Sequence, residues 1–111
     1  MSQVTNSSIL KGFPNPSPFH VHTITTNEFT FLGYPSQPDM AKLTIKMTPR
    51  EVVPELKSVK LYLLQYRSLH ISYEGVVQAI YRDFVKVYDP CFLYIKLETQ
   101  PRGGISSVVE L

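Results

Sequence analysis

The segment ELKSVKLYLLQYRSL, Glu55 to Leu69, decides how this 111-residue chain is read. Leu56, Val59, Leu63 and Tyr66 recur at helical intervals and form the expected buried stripe of a first helix. Beyond it, Ser72 stands where an N-cap belongs. Val76, Val77, Ile80, Phe84 and Val87 then repeat the same spacing, so a second helix is expected up to Asp89-Pro90. On both sides of this helix pair the period changes to two. Upstream, Ala41, Leu43, Ile45 and Met47 alternate with Lys42, Thr44 and Lys46, and the β-branched stretch near residues 19–26 predicts another strand. Between these two strands, EFTFLGYPSQPD (Glu28–Asp39) reads as a shaped loop, and Pro49 and Pro54 bracket a break. Downstream, FLYIKLET places Leu93, Ile95 and Leu97 on one face, Arg102-Gly103-Gly104 reads as a turn, and ISSVVEL as a last strand. The order β-β-α-α-β-β predicts an α+β domain, a four-stranded antiparallel sheet with both helices on one face.

The chain is long enough for one core and too short for two, so residues 19–111 are expected to form a single domain. Residues 1–18 are polar and proline-rich and read as a flexible N-terminal arm. A formal charge of +2 is too small to point to nucleic acid or to a membrane surface. No apolar run approaches the ~20 residues of a membrane span, and no signal-peptide pattern opens the sequence. A single cysteine, Cys91, excludes an internal disulfide and a cysteine-based zinc site; with the missing leader it predicts a cytoplasmic protein. His20 and His22 share one side of a strand without a third ligand at a recognisable spacing, so no metal site is expected.

On the first helix, Lys57, Lys60 and Arg67 fall within one quadrant beside the apolar stripe, with Leu64 between them. Three cations so placed repel one another by a few tenths of a kcal/mol per pair at an exposed surface. Two readings are open: a solvated face, or an anion site for a ligand phosphate, to which Arg102 could add a planar fork.

The segment Glu55-Leu56-Lys57-Ser58-Val59-Lys60-Leu61-Tyr62 resembles the signature of the 7-cyano-7-deazaguanine reductases, the QueF nitrile reductases of queuosine biosynthesis. Glu28-Phe29-Thr30 and Gln37-Pro38-Asp39 resemble the frame of that family's active-site loop, and Pro101-Arg102-Gly103-Gly104-Ile105 its late arginine-glycine turn. The resemblance covers about residues 20 to 111. It implies a tunnelling fold whose units join side by side into a cyclic homo-oligomer, with sites between subunits. It also implies NADPH contacts for Lys57, Lys60 and Arg102, and a purine-like or 7-deazaguanine base held by Glu74. Tyr73 stands where the family has a histidine, and His70, four residues before Glu74, is a candidate replacement. By itself, Glu74 would read as an exposed acid in the first turn of a helix.

The family's loop runs Glu-Phe-Thr-Ser-Leu-Cys-Pro, and its cysteine attacks the nitrile to give a thioimide that NADPH reduces. Here Gly33 occupies the cysteine position, Phe31 replaces the serine, and the spacer is one residue shorter, whereas Asp39, the implied proton donor, is kept. Glycine forms no covalent adduct, and loss of a nucleophile costs orders of magnitude in rate. The resemblance therefore implies a homologue that binds a purine-like ligand without thioimide-based nitrile reduction. The alternatives are an active reductase with a relocated nucleophile, at Tyr34 or Cys91, and a non-catalytic ring subunit.

Overall fold

A computed structural model describes residues 5–17, 19–33, 38–101 and 103–111. Arg102 and Tyr34, together with Gln37, lie outside the described residues. The elements run in the order β1 (Gly12–Pro14), β2 (His22–Leu32), β3 (Pro38–Thr48), β4 (Val52–Pro54), α1 (Leu56–Leu64), α2 (Tyr73–Tyr88), β5 (Phe92–Thr99) and β6 (Val108–Glu110). Short 3-10 turns cover Ser7–Ile9 and Gln65–Ser68. An antiparallel sheet of order β2-β3-β5-β6 carries both helices on one face, the α+β arrangement expected from the sequence.

Alternation on β3 and β5 builds the sheet side of the core. Leu43, Ile45 and Met47 face Leu97, Ile95 and Leu93 across the ladder, and these six are buried together with Ala41. The expected strand near 19–26 is longer than its β-branched run, because Glu28–Leu32 continues β2 and Pro38–Asp39 opens β3. Most of the supposed loop is therefore ladder. A bulge makes this work. Thr26 pairs with Leu43 and Phe29 with Ala41, so Asn27 and Glu28 together oppose Lys42 alone. Before the bulge the even-numbered Ile24 and Thr26 stand on the core face; after it the odd-numbered Phe29 and Phe31 do. A period of two with one extra residue reverses face, and the reversal turns both phenylalanines inward.

On the helix side Val59, Tyr62 and Tyr66 are buried, with Val76, Val77, Ile80, Phe84 and Tyr88 from α2. Leu56 departs from the expected stripe: as the first residue after the Glu55 cap it stands 61% exposed, and Tyr62 takes the buried place. Ser72 caps α2 as expected, its hydroxyl accepting from the Gly75 amide at 3.1 Å. Asp89 ends that helix in the left-handed region at φ 43°, and Gly103 and Gly104 turn the chain with φ of 57° and 80°.

The expectation of a free arm over residues 1–18 differs from what residues 5–17 do. Leu10 is buried, Gly12–Pro14 pairs with Val52–Pro54, and the Lys11 carbonyl accepts from Tyr88 Oη at 2.7 Å. The Thr5 hydroxyl donates to Asp83, a carboxylate only 3% exposed that also accepts from Tyr62 Oη at 2.5 Å. Tyr62 and Tyr66 bond through their hydroxyls at 2.7 Å, and Arg82 Nε lies 3.5 Å from the carboxylate. The polar composition read as solvated tail instead satisfies a buried acid, which could not otherwise leave water cheaply.

Candidate functional site

Among the described residues, a cleft and a groove border β2 on the helix side. The first is a cleft of about 180 Å3 lined by Phe31, Gly33, Asp39, Ile71, Ser72, Tyr73 and Glu74. Its position follows from three local features. Phe31 and Asp39 are direct cross-strand partners, so the inward register that buries Phe31 also places Asp39 on the helix side, where the core ends. The end of β2 is then tied to the start of α2: the Leu32 amide donates to the Leu69 carbonyl, and the Ile71 amide to the Leu32 carbonyl, each at 3.0 Å. The Ser72 cap brings Tyr73 and Glu74 to the same mouth. A side chain at Gly75 would press within 2.8 Å of Ile71, so glycine permits this tight entry to α2.

The cleft joins two carboxylates and two rings. Tyr73 is half-buried and stands edge-on to Phe31, with ring centroids 5.5 Å apart and planes at 86°. Gly33 is buried and Glu74 exposed. Such a set presents an aromatic wall to a flat ring and carboxylate acceptors to an N–H edge. The sequence expectations of Gly33, Asp39, Tyr73 and Glu74 thus fall on one recess. His70 is not among its lining residues; it sits opposite Leu32 in an isolated parallel bridge whose hydrogen bonds come from the neighbouring Leu69 carbonyl and Ile71 amide. Phe31, Ile71 and Ser72 are lining residues that sequence reading did not assign. The available signal was the Phe31–Asp39 spacing across a hairpin, obscured by reading the segment as loop.

The second recess is a groove of about 330 Å3 between β2 and α1. Ile24, Phe29, Val59 and Leu63 are among its apolar lining, and Leu56, Leu64, Lys60, Arg67 and Glu28 also border it. Lys60 and Arg67 are both exposed, and Lys57 is exposed on the same helix outside this lining. The ion pairs among the described residues, Arg50–Asp89, Arg82–Asp83 and Lys96–Glu98, leave these three cations without a carboxylate at salt-bridge distance. Thr30 borders the groove and Phe31 the cleft, so adjacent residues of β2 divide the two recesses.

Signature residues separate by role. The Glu55 side chain accepts from the Ser58 amide at 3.1 Å, capping α1. Ser58 Oγ is buried, accepts from the Lys11 amide at 2.9 Å, and donates to the Glu55 carbonyl at 2.7 Å. Glu55 and Ser58 therefore hold the helix that presents Lys57 and Lys60.

Cys91 is exposed at the start of β5, beside Thr48, to whose carbonyl its amide donates at 2.8 Å. Thr48 and Asp39 lie at opposite ends of β3, roughly 30 Å apart at ~3.3 Å per residue. Within one chain, that thiol does not reach the cleft. The rings of His20 and His22 meet edge-on at 4.9 Å, and among the described residues no three His, Cys, Asp or Glu side chains cluster as a metal site. Among the described residues, no helix is long and apolar enough to cross a membrane.

Comparison with known proteins places these features in context. The model of the family described as QueF-like protein matches residues 38–111. The NADPH-dependent 7-cyano-7-deazaguanine reductase of Synechocystis is 43% identical over 106 residues, covering 89% of this chain and 74% of that protein. The protein of the same name from Helicobacter pylori is 38% identical over 104 residues, covering 91% and 70%. Among solved structures, the archaeosine synthase QueF-Like in its apo form matches with a TM-score of 0.76. That match covers 82% of this chain and 90% of the other at 14% identity, a likeness of fold.

Proposed function

This chain belongs to the QueF-like protein family, and we propose that its cleft binds a purine-like base of the 7-deazaguanine class without forming a thioimide. The observation that carries the reading is the convergence of Asp39, Tyr73 and Glu74 around Gly33. Glu74 accepts hydrogen bonds from the N–H edge of the base, the half-buried Tyr73 ring, backed edge-on by the fully buried Phe31, gives it an aromatic wall, and Asp39 stands at its far side in the place of the family's proton donor. His70 lies opposite Leu32, between the Leu69 carbonyl and the Ile71 amide that hold the end of β2 leading to Gly33. The absence of a sulfur at Gly33 and the place of Cys91 at the far end of the sheet support a reading without the covalent step of the reductases.

The named relatives are NADPH-dependent, and the cations of α1 suit that cofactor. Lys57 and Lys60 are exposed and without carboxylate partners among the described residues, beside a groove with an apolar floor. They would hold its phosphates, together with Arg102. A reduced nicotinamide, when bound, would offer hydride, but without a thioimide this reading gives it no acceptor. The partner reading is a ring of copies with sites completed between subunits. β2 supports it: among the described residues this eleven-residue strand has β3 as its strand partner and only the bridge at Leu32 on its other edge, leaving the rest of that edge for another strand.

The test is calorimetric titration of the protein with 7-cyano-7-deazaguanine, followed by incubation with NADPH. Saturable binding, no loss of NADPH absorbance, and at least tenfold weaker binding by Glu74→Leu are expected. Unchanged affinity in that variant would remove Glu74 from the site, and steady turnover would show that a nucleophile exists after all.

A further inference from the structure

Arg67 is absorbed by none of the roles above, yet it borders the same groove as Lys60. Resting on the cofactor reading just given, we infer that Arg67 selects a dinucleotide carrying a 2′-phosphate over one that lacks it. Lys60 lies in α1 and Arg67 in the 3-10 turn that follows it, roughly 12 Å apart along the axis at ~1.5 and ~2.0 Å per residue. Two cations at that separation, with Leu63 and Leu64 between them, suit a ligand with two anionic centres joined by a less polar body. A phosphorylated dinucleotide has that form: a pyrophosphate, a ribose, and a second phosphate on the ribose.

The side chains differ in a way that assigns the ends. Lysine is a compact point charge that serves any phosphate, whereas the guanidinium fork takes a terminal phosphate through two parallel bonds. Lys60 belongs to the helix portion shared with Lys57, so the pyrophosphate goes there and the outer phosphate to Arg67. Glu28 opposes this assignment. It borders the groove from β2, and a carboxylate facing a ribose favours the free 2′-hydroxyl. Charge decides between them, because two cations against one carboxylate leave the groove positive and favour the more highly charged ligand. Among the described residues, Arg67 has no ion-pair partner to surrender on binding.

The experiment titrates the full chain with NADPH and with NADH at one ionic strength, following nucleotide fluorescence. Loss of a charge-assisted contact corresponds to about tenfold or more in affinity. The expectation is that the unaltered protein prefers NADPH, that Arg67→Ala weakens NADPH about tenfold with NADH changed less than about threefold, and that Lys60→Ala weakens both. Arg67→Lys keeps the charge and is expected to retain part of the preference. If Arg67→Ala leaves the NADPH-to-NADH ratio unchanged while the unaltered protein binds, the assignment of Arg67 fails alone. If the unaltered protein binds neither nucleotide, the cofactor reading fails and takes this inference with it.

Discussion

Changing Tyr62 to Phe removes one oxygen from the buried cluster and leaves the ring. That ring still meets Tyr66 at 5.6 Å and Phe84 at 6.1 Å, so packing is nearly conserved. The bond at 2.5 Å to the Asp83 carboxylate and the bond at 2.7 Å to Tyr66 Oη are both lost. A hydrogen bond to a charged acceptor contributes about 1.5–3 kcal/mol and a neutral one about 1 kcal/mol. Asp83 remains buried with Thr5 and Arg82 to serve it, so the loss is not that of an isolated charge. The expected cost is roughly 3 kcal/mol, or a melting temperature lower by roughly 10 °C for a domain of this size. Urea unfolding at fixed protein concentration, with the slope of the transition unchanged, measures it. The variant Thr5→Val should couple with Tyr62→Phe in a double-mutant cycle, because both hydroxyls donate to one carboxylate. A loss below about 1 kcal/mol for Tyr62→Phe, or strict additivity of the pair, would show that the cluster holds nothing together.

Two further outcomes follow from the same structure. Burial raises the phenols of Tyr62, Tyr66 and Tyr88, the last from 10.0 to about 12, with a smaller contribution to Tyr62 from its Tyr66 neighbour. A raised folded value means stability is full below the unfolded value near 10 and lost as pH rises toward the folded one; at pH 11 each phenol accounts for about 1.4 kcal/mol, roughly 4 kcal/mol together. Urea midpoints between pH 9 and 11 should fall accordingly, less steeply in Tyr62→Phe, and a flat profile would contradict the burial argument. Deleting Asn27 removes the extra residue of the β2 bulge and leaves Glu28 alone opposite Lys42, so that regular alternation keeps Phe29 opposite Ala41 and Phe31 opposite Asp39 on the core face. The cooperative unfolding transition is expected to survive this deletion, and Asn27→Ala should stay within about 0.5 kcal/mol; a deletion variant that does not fold would refute the face-reversal account.

Much of the site was legible before the fold was known. The helix spacing of Glu55–Leu69 and the resemblance it carries pointed to Lys57, Lys60 and Glu74 by residue type, and Gly33 declared the missing sulfur. What remained hidden was whether these positions meet. Asp83 illustrates the partial signals: it falls on the apolar arc with Ile80 and Phe84, an acid where none is expected, and the arc alone does not name its partners. Thr5 lies seventy-eight residues away in sequence, and only the packed chain puts it there.

The sequence by itself determined the order of the four strands of the main sheet and the two helices, the inward faces of β3, β5 and α2, and the chemical types available for a site, since periodicity and residue chemistry are local properties; the short pair Gly12–Pro14 and Val52–Pro54 it did not show. Tertiary structure alone decided that Glu28–Leu32 is strand, that residues 5–14 clasp the two helices, and that Asp39, Gly33 and Glu74 share one cleft while Cys91 stands at the other end of the sheet. Each of those outcomes turns on register between distant segments. One inserted residue in a ladder reverses a face, and no local pattern records the partner strand against which it is counted.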